Sequence, residues 1–84
     1  MSWVTFFGDA GVGETDRLRD AVEQWAERFN IEFHYRHMDQ RTREEYNVGV
    51  VPTVRYFHPA NGPREQFEGA LAIERLLARK GMWP

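Results

Sequence analysis

The segment GDAGVGET, residues 8–15, has the residue types and spacing of a phosphate-binding loop. It follows an apolar stretch, four residues separate Gly8 from Gly13, and Thr15 comes two positions later. In such loops the residue after the second glycine is a lysine that neutralises the β- and γ-phosphates. This chain has Glu14 there, and at about 4 Å and an effective dielectric constant near 20 the change from attraction to repulsion amounts to several kcal/mol. The segment therefore does not predict a nucleotide site.

The composition indicates one small globular domain over residues 1–84, because 42% of the chain is hydrophobic. A net charge of −2 is too balanced for a nucleic-acid-binding surface, which usually carries a basic surplus. No apolar run approaches the roughly 18 residues of a membrane span. The N-terminus has no signal-peptide pattern, so we expect a cytoplasmic protein with no membrane partner. Cysteine is absent, which excludes disulfides, thiolate metal sites and thiol catalysis.

Two polar clusters could suggest other chemistry, but their spacing is unsuitable. His34 and His37 are three residues apart in a predicted strand and therefore point to opposite faces, so only His37 and Asp39 share one. Two ligands are too few for a closed zinc site. Glu14 and Asp16 lie at the start of a predicted helix, where the dipole stabilises ionised carboxylates and so disfavours a general acid. We predict no metal site and no catalytic residue.

The hydrophobic pattern predicts seven elements in the order β-α-β-α-β-β-α. Short apolar or alternating stretches predict strands at 3–7, 31–37, 53–57 and 64–68. Apolar residues at helical spacing predict a long helix after the loop 8–14, and a final helix over 70–80 that includes Leu71 on its apolar side. A short polar helix is predicted over 40–46.

Polar residues are placed to cap these helices. Thr15 or Asp16 can accept a hydrogen bond from a free amide of the first helix, Asn30 suits its end, and Asp39 can cap the second. The first two strands are joined through a helix and should be parallel, whereas the last two are joined by a turn at 61–62 and should form a hairpin. One mixed four-stranded sheet flanked by helices satisfies both conditions.

The segment YNVGVVPTVRYF, residues 46–57, resembles the part of thioredoxin-like proteins that carries their cis-proline. In that family a tyrosine-glycine-valine turn leads into Val or Ile, Pro, Thr and an apolar strand. Val51, Pro52 and Thr53 match this motif, and Asn47 replaces the glycine because asparagine tolerates the left-handed conformation. The downstream segment NGPREQFEGALAIERLL is similar to the family's hairpin, edge strand and final helix. The resemblance implies an α/β, thioredoxin-like fold over nearly the whole chain, closest in size to glutaredoxin-like members.

The same resemblance aligns the glycine-rich segment with the family's redox motif, which follows an aromatic strand and starts the first long helix. Aligned without a gap, Val12 has the position of the nucleophilic cysteine and Thr15 that of the resolving cysteine. The buried acid that assists proton transfer in many thioredoxins falls at Phe6. The resemblance thus implies a domain without thiol–disulfide activity.

The resemblance also implies a groove between the cis-proline loop, the start of the first helix and the loop before the last helix. Our leading hypothesis is a non-catalytic module that binds an unknown protein partner there, by strand addition to the backbone before the proline. It needs no cofactor. The candidate contact residues are Gly11, Val12, Gly13, Glu14, Thr15, Val50, Val51, Pro52 and Thr53, to which residues 67–70 can be added.

Two alternatives stay open. One is a glutathione-binding or transferase-like activity without cysteine, for which Thr15 is the nearby hydroxyl. Glu14 and Asp16 would repel the two carboxylates of glutathione. The other is a homodimer subunit that buries the groove or the apolar pair Met82 and Trp83.

Overall fold

The computed structural model describes residues 2–9, 13–57 and 65–78. Its elements are β1 (Trp3–Gly8), α1 (Gly13–Arg28), β2 (Glu32–His37), α2 (Gln40–Tyr46), β3 (Thr53–Phe57), β4 (Glu65–Glu68) and α3 (Ala70–Leu77). This order confirms the predicted β-α-β-α-β-β-α. Within these ranges no helix is both long and apolar enough to cross a membrane. The predicted turn at 61–62 and the predicted end of the last helix lie outside the described residues.

The four strands form one mixed sheet in the order β2-β1-β3-β4. β1 is parallel to β2, which follows it through α1, and β3 is antiparallel to both β1 and β4. Side chains of a strand alternate between the two faces of a sheet. In this register Val4 is opposite Tyr56 and Phe6 is opposite Val54, so these four residues share one face.

The main core lies between that face and helices α1 and α3. The helices contribute Leu18, Val22, Trp25, Ala26, Ile73 and Leu76, all of them buried. Trp25 is 2% exposed, and its ring centroid lies 5.6 Å from that of Phe29 and 6.1 Å from that of Tyr56. Phe67 on β4, one of the residues 67–70 that were added to the candidate contact residues, is also buried in this core. Each such side chain contributes about 1.5–3 kcal/mol on burial.

A smaller cluster lies on the other face of the sheet, beneath α2. Phe7, Met38 and Val48 are buried there, with Tyr46 and Val51 packed against them. The Tyr46 ring is 5.5 Å from the Phe7 ring. The short helix α2 therefore covers only the end of this face that lies at the carboxyl end of β1.

The start of α1 differs from the prediction. The helix begins at Gly13, so Thr15 and Asp16 lie within its first turn and do not precede it as caps. Thr15 is only 6% exposed. Its side chain packs inward against the end of β1, which explains why it is not available as a cap.

The other predicted caps are confirmed. Asn30 has φ 57°, and Ile31 N–H donates to the Ala26 carbonyl at 2.8 Å, which closes the end of α1. Asn47 is in the left-handed conformation at the end of α2, with φ 54°. Asp39 caps the start of α2 and accepts a hydrogen bond from the Thr42 amide at 2.7 Å.

The Asp39 cap predicts a pH dependence of stability. The hydrogen bonds from Thr42 hold the pKa of Asp39 below its ordinary value of 3.8. Its stabilising effect is therefore complete only well above the unfolded-state pKa of 3.8, and it is lost as the pH falls through the lower, folded-state pKa. Asp39→Asn keeps a capping side chain without a titratable group. We expect the variant to lose less stability than the wild type between pH 4 and pH 2, as measured by urea unfolding. An equal decrease in the free energy of unfolding of both proteins over this range would contradict the assignment.

Candidate functional site

The end of β1 and the first turn of α1 are in close contact, and glycine at position 8 makes this possible. A Cβ atom placed on Gly8 would lie 2.6 Å from Phe6 Cε1 and 2.6 Å from Thr15 Cγ2. Real Cβ atoms do not approach other atoms so closely. Thr15, predicted as a contact residue, is therefore part of this buried junction and does not offer its side chain to a partner. Phe6, at the position of the family's buried acid, is 0% exposed in the core.

Of the other candidate contact residues in segment 11–15, two lie outside the described residues and two lie in the first turn of α1. Gly11 and Val12 lie outside the described residues. Gly13 is exposed and is the first residue of α1, and Glu14 follows it in the helix. The segment was predicted as a loop up to residue 14, so the helix begins earlier than the loop pattern indicated.

The loop before β3 is tied to the rest of the site by hydrogen bonds. The Val51–Pro52 peptide bond is cis. The Pro52 carbonyl accepts a hydrogen bond from Gly69 N–H at 2.8 Å, which joins this loop to the start of α3. Thr53 is 0% exposed and donates its hydroxyl to the Val50 carbonyl. Thr53 was predicted as a contact residue, but its side chain is used internally to shape the loop.

Val50 and Val51 have the properties of a contact segment. Val50 is 41% exposed, and Val51 is partly buried against the cluster under α2. Within the described residues, neither the amide nor the carbonyl of Val51 makes a hydrogen bond. Within the described residues, the hydrogen-bonding groups of this peptide backbone are therefore not used.

Leu71 is a surface residue that the sequence reasoning missed. It was counted with the apolar side of the last helix, but its exposed fraction is 64%, whereas Ile73 and Leu76 are completely buried. Two residues correspond to about 200° around a helix, so Leu71 lies nearly opposite Ile73. The spacing of Leu71 relative to the other apolar residues of α3 is therefore the sequence feature that could have indicated its exposure. Gly69, with φ 89°, turns the chain into α3 immediately before it.

The loop face is defined here as Gly13, Val50, Val51 and Leu71. The end of β1 and the start of β3 are neighbours, because Phe7 is the register partner of Thr53. Helix α1 begins after that end of β1, and the bond from Gly69 N–H to the Pro52 carbonyl brings the start of α3 to the same end of the sheet.

One tyrosine beside this end of the sheet has a perturbed pKa. Tyr35 donates its hydroxyl to the Gly8 carbonyl at 3.0 Å, and the Arg19 guanidinium carbon lies 5.4 Å from its ring centroid. Burial raises the pKa of Tyr35, which is opposed by the charge of Arg19. The phenol therefore stays protonated at neutral pH and acts as a fixed hydrogen-bond donor that links β2 to the end of β1.

The loop face presents apolar surface, but few of its described side chains could act in catalysis. The two threonine hydroxyls nearest to it, those of Thr15 and Thr53, belong to buried side chains. Across the described ranges, no group of three or more His, Asp or Glu residues could hold a metal ion. His34 and His37, considered above as metal ligands, lie on β2 as predicted.

Comparison with known proteins identifies the fold. No protein-family model matches the sequence, and no curated protein matches it. Solved structures do match it. Thioredoxin O2 from Arabidopsis thaliana superimposes with a TM-score of 0.75 and 14% identity, over 100% of this chain and 76% of that chain. Thioredoxin from Fasciola hepatica gives a TM-score of 0.67 and 20% identity, over 93% and 79%.

A third match comes from a larger protein. Glutathione transferase Omega 2S from Trametes versicolor gives a TM-score of 0.63 and 18% identity, over 93% of this chain but only 35% of that chain. At these identities the matches establish the architecture alone. They agree with the sheet order β2-β1-β3-β4 and with the placement of α1 and α3 on one face. The chain therefore has the thioredoxin-like fold, and it has no cysteine in its sequence.

Proposed function

We propose that this protein is a binding module that recognises a protein partner through its loop face and performs no thiol–disulfide chemistry. One observation carries the proposal. Among the described residues, the exposed large hydrophobic side chains are Val50 and Leu71. They lie on the two segments that are joined by the hydrogen bond between Gly69 and Pro52.

The positions of Val50 and Leu71 favour a role in partner recognition over the chance exposure of two unrelated apolar side chains. Single exposed apolar residues are common on protein surfaces, but here both lie at the same end of the sheet. In the rest of the described chain, large apolar side chains are buried or partly buried. Apolar surface concentrated at one place indicates an interaction site.

The backbone of Val51 supports the same proposal. Its amide and carbonyl have no hydrogen-bond partner within the described residues, and the neighbouring Val50 side chain is exposed. An extended segment of a partner could pair with this backbone, while its side chains contact Val50 and Leu71. Strand addition of this kind derives affinity from main-chain hydrogen bonds and specificity from side-chain contacts.

Charge introduction on the loop face tests the proposal. Val50→Asp combined with Leu71→Asp adds two charges to exposed positions, so we expect the fold to persist and partner binding to fall at least tenfold. The matched control is Gln24→Asp combined with Gln40→Asp, which adds the same charge at exposed positions on α1 and α2. The measurement is a quantitative pull-down from the source organism's lysate with each immobilised protein. A partner retained equally by both variants would place binding elsewhere.

The two alternatives make different predictions for the same proteins. A glutathione-binding protein would show NMR shift changes at the loop face in millimolar glutathione, and these would vanish in the Val50→Asp, Leu71→Asp variant. A homodimer subunit would show an apparent mass in sedimentation that decreases on dilution. Either result, without a captured partner, would replace the proposed function.

A further inference from the structure

Strand β2 lies at one edge of the sheet, and no described strand pairs with its outer side. The Glu32 amide donates to the Ser2 carbonyl at 3.1 Å, so the backbone groups of Glu32 point toward β1. Successive residues of a strand direct these groups to opposite sides, so those of Phe33 and Tyr35 point to the open side. There they make no hydrogen bond with a described residue. An unpaired edge of this kind can bind another strand.

The side chains of β2 have a symmetric pattern about His34. Glu32 and Arg36 lie two positions to either side of it, and Phe33 and Tyr35 lie one position to either side. When a second copy of the strand pairs antiparallel with the first, with His34 opposite His34, each Glu32 is opposite an Arg36. Each Phe33 is then opposite a Tyr35. The strand is therefore complementary to itself in charge, and its aromatic residues meet each other.

The backbone of β2 is compatible with this register. In an antiparallel pair, opposite residues that exchange hydrogen bonds alternate with opposite residues that do not, and the side chains of the second kind approach more closely. Phe33 and Tyr35 have the outward backbone groups, so the Phe33–Tyr35 pairs are the ones that exchange hydrogen bonds. The Glu32–Arg36 pairs are then the close pairs, in which opposite charges stabilise a sheet.

Other pairings lose this complementarity. A shift by one residue turns the side chains of the second copy to the wrong face. A shift by two residues places His34 opposite Arg36 and Glu32 opposite the buried Met38 in one direction, and pairs only residues 32–34 in the other. The edge formed by β4 is no substitute, because its sequence EQFE has two acidic residues and no basic one.

Glu32 and Arg36 are exposed and available for such pairs. Arg36 makes no hydrogen bond or ion pair with a described residue, and its guanidinium carbon lies 5.4 Å from the Tyr46 ring centroid. A guanidinium stacked on a ring keeps its N–H edge for a carboxylate. Glu32 contacts His34 at 3.3 Å, but a carboxylate accepts several hydrogen bonds. Within one copy, four steps of extended strand separate Glu32 from Arg36 by about 13 Å, so they cannot pair with each other.

We propose that β2 is an interface between two copies of this chain, which pair antiparallel about a two-fold axis between their His34 residues. The two four-stranded sheets then form one continuous sheet. Each copy contributes the same residues, as a two-fold interface requires. The interface leaves the loop face of each copy exposed, because β1 separates β2 from β3 and the loop before it. The two loop faces lie at opposite ends of the joined sheet, so the dimer is a bivalent form of the proposed binding module.

Charge exchange across the interface tests this proposal. The masses of Glu32→Arg and Arg36→Glu are measured by sedimentation equilibrium, for each variant alone and for an equimolar mixture. Alone, each variant places like charges opposite each other, whereas a heterodimer in the mixture has opposite charges at both pairs. The control is the same experiment with Glu74→Arg and Arg75→Glu, which change exposed charges on α3, a helix packed against β3 and β4. Circular dichroism checks that every variant is folded.

We expect the wild-type mass to rise from one chain toward two between about 10 µM and about 1 mM, because an interface made of one strand edge is small. Each single variant should dimerise about tenfold more weakly, and the mixture should regain the wild-type affinity. The control variants should dimerise like the wild type, alone and mixed. The amide hydrogens of Phe33 and Tyr35 should exchange with solvent more slowly as the dimer forms.

The proposal is overturned if the wild type stays monomeric up to about 1 mM, if the single variants dimerise normally, or if their mixture does not gain mass. The Val50→Asp, Leu71→Asp variant should dimerise like the wild type. Loss of the dimer in that variant, with normal dimers of Glu32→Arg and Arg36→Glu, would place the interface on the loop face. The dimer through β2 is therefore tested separately from the proposed function.

Discussion

Replacing Leu76 by alanine is expected to lower the free energy of unfolding by about 2–5 kcal/mol, whereas the same replacement at Leu71 should change it by less than about 0.5 kcal/mol. The residues lie on the same helix, five positions apart. Leu76 is 0% exposed between α3 and the sheet, so truncation leaves a cavity, but Leu71 is 64% exposed and loses few contacts. Urea unfolding monitored by tryptophan fluorescence measures both values.

This pair of variants also tests how α3 is rotated on the sheet. Similar losses at both positions would mean that Leu71 contributes to the core, and the loop face would then lack one of its two apolar side chains. If the results are as expected, Leu71→Ala is a folded variant in which binding can be measured without a stability effect. It then serves as a milder companion to the charged loop-face variant.

Much of the fold follows from the periodicity of apolar residues. The alternation in β1 and β3 sends Val4, Phe6 and Val54 to one face, and the spacing in α1 sends Trp25 to the same core. Local chemistry specified the helix ends equally well. Asp39 can cap because its carboxylate reaches an amide three residues on, and Asn47 can end a helix because it tolerates positive φ.

The candidate site was harder to predict because it depends on which way single side chains point. Thr15 and Thr53 are polar and were predicted as contact residues, yet both are buried. Thr15 packs against the end of β1, and Thr53 donates its hydroxyl to the Val50 carbonyl. Leu71 is apolar and lies in a helix, yet it is exposed. Composition indicates which residue types prefer the interior, whereas exposure at a given position depends on how the elements are packed together.

A cleft on the sheet face opposite the main core, to which Trp3, Arg36 and Arg55 contribute, is a further case of this kind. Trp3, Arg36 and Arg55 belong to three strands, and their proximity depends on the pairing register, which the sequence pattern did not give. Along the chain, Arg36 is close to Arg41 and Arg43. The register instead brings it to a face with Arg55, nineteen residues later in the sequence.

Replacing Gly8 by alanine is expected to lower the free energy of unfolding by about 1–3 kcal/mol, because the added methyl group overpacks a closed junction. Its Cβ would lie 2.6 Å from both Phe6 and Thr15, and neither can move freely, since both side chains are buried. Gly13→Ala makes the same chemical change at the start of α1, where no atom lies within 4 Å of the new Cβ. It should leave stability unchanged or raise it by up to about 1 kcal/mol, because alanine favours the helix.

Comparison of these two variants by urea unfolding isolates the contact between β1 and α1 from the general effect of replacing glycine. Equal effects would mean that Thr15 does not pack against Gly8 and that its side chain is available at the loop face after all. The expected difference has a functional consequence as well. Relief of the overpacking in Gly8→Ala requires the first turn of α1 to move away from β1, which displaces Gly13 relative to Val50. Partner binding should therefore be weakened by Gly8→Ala even where the variant is fully folded.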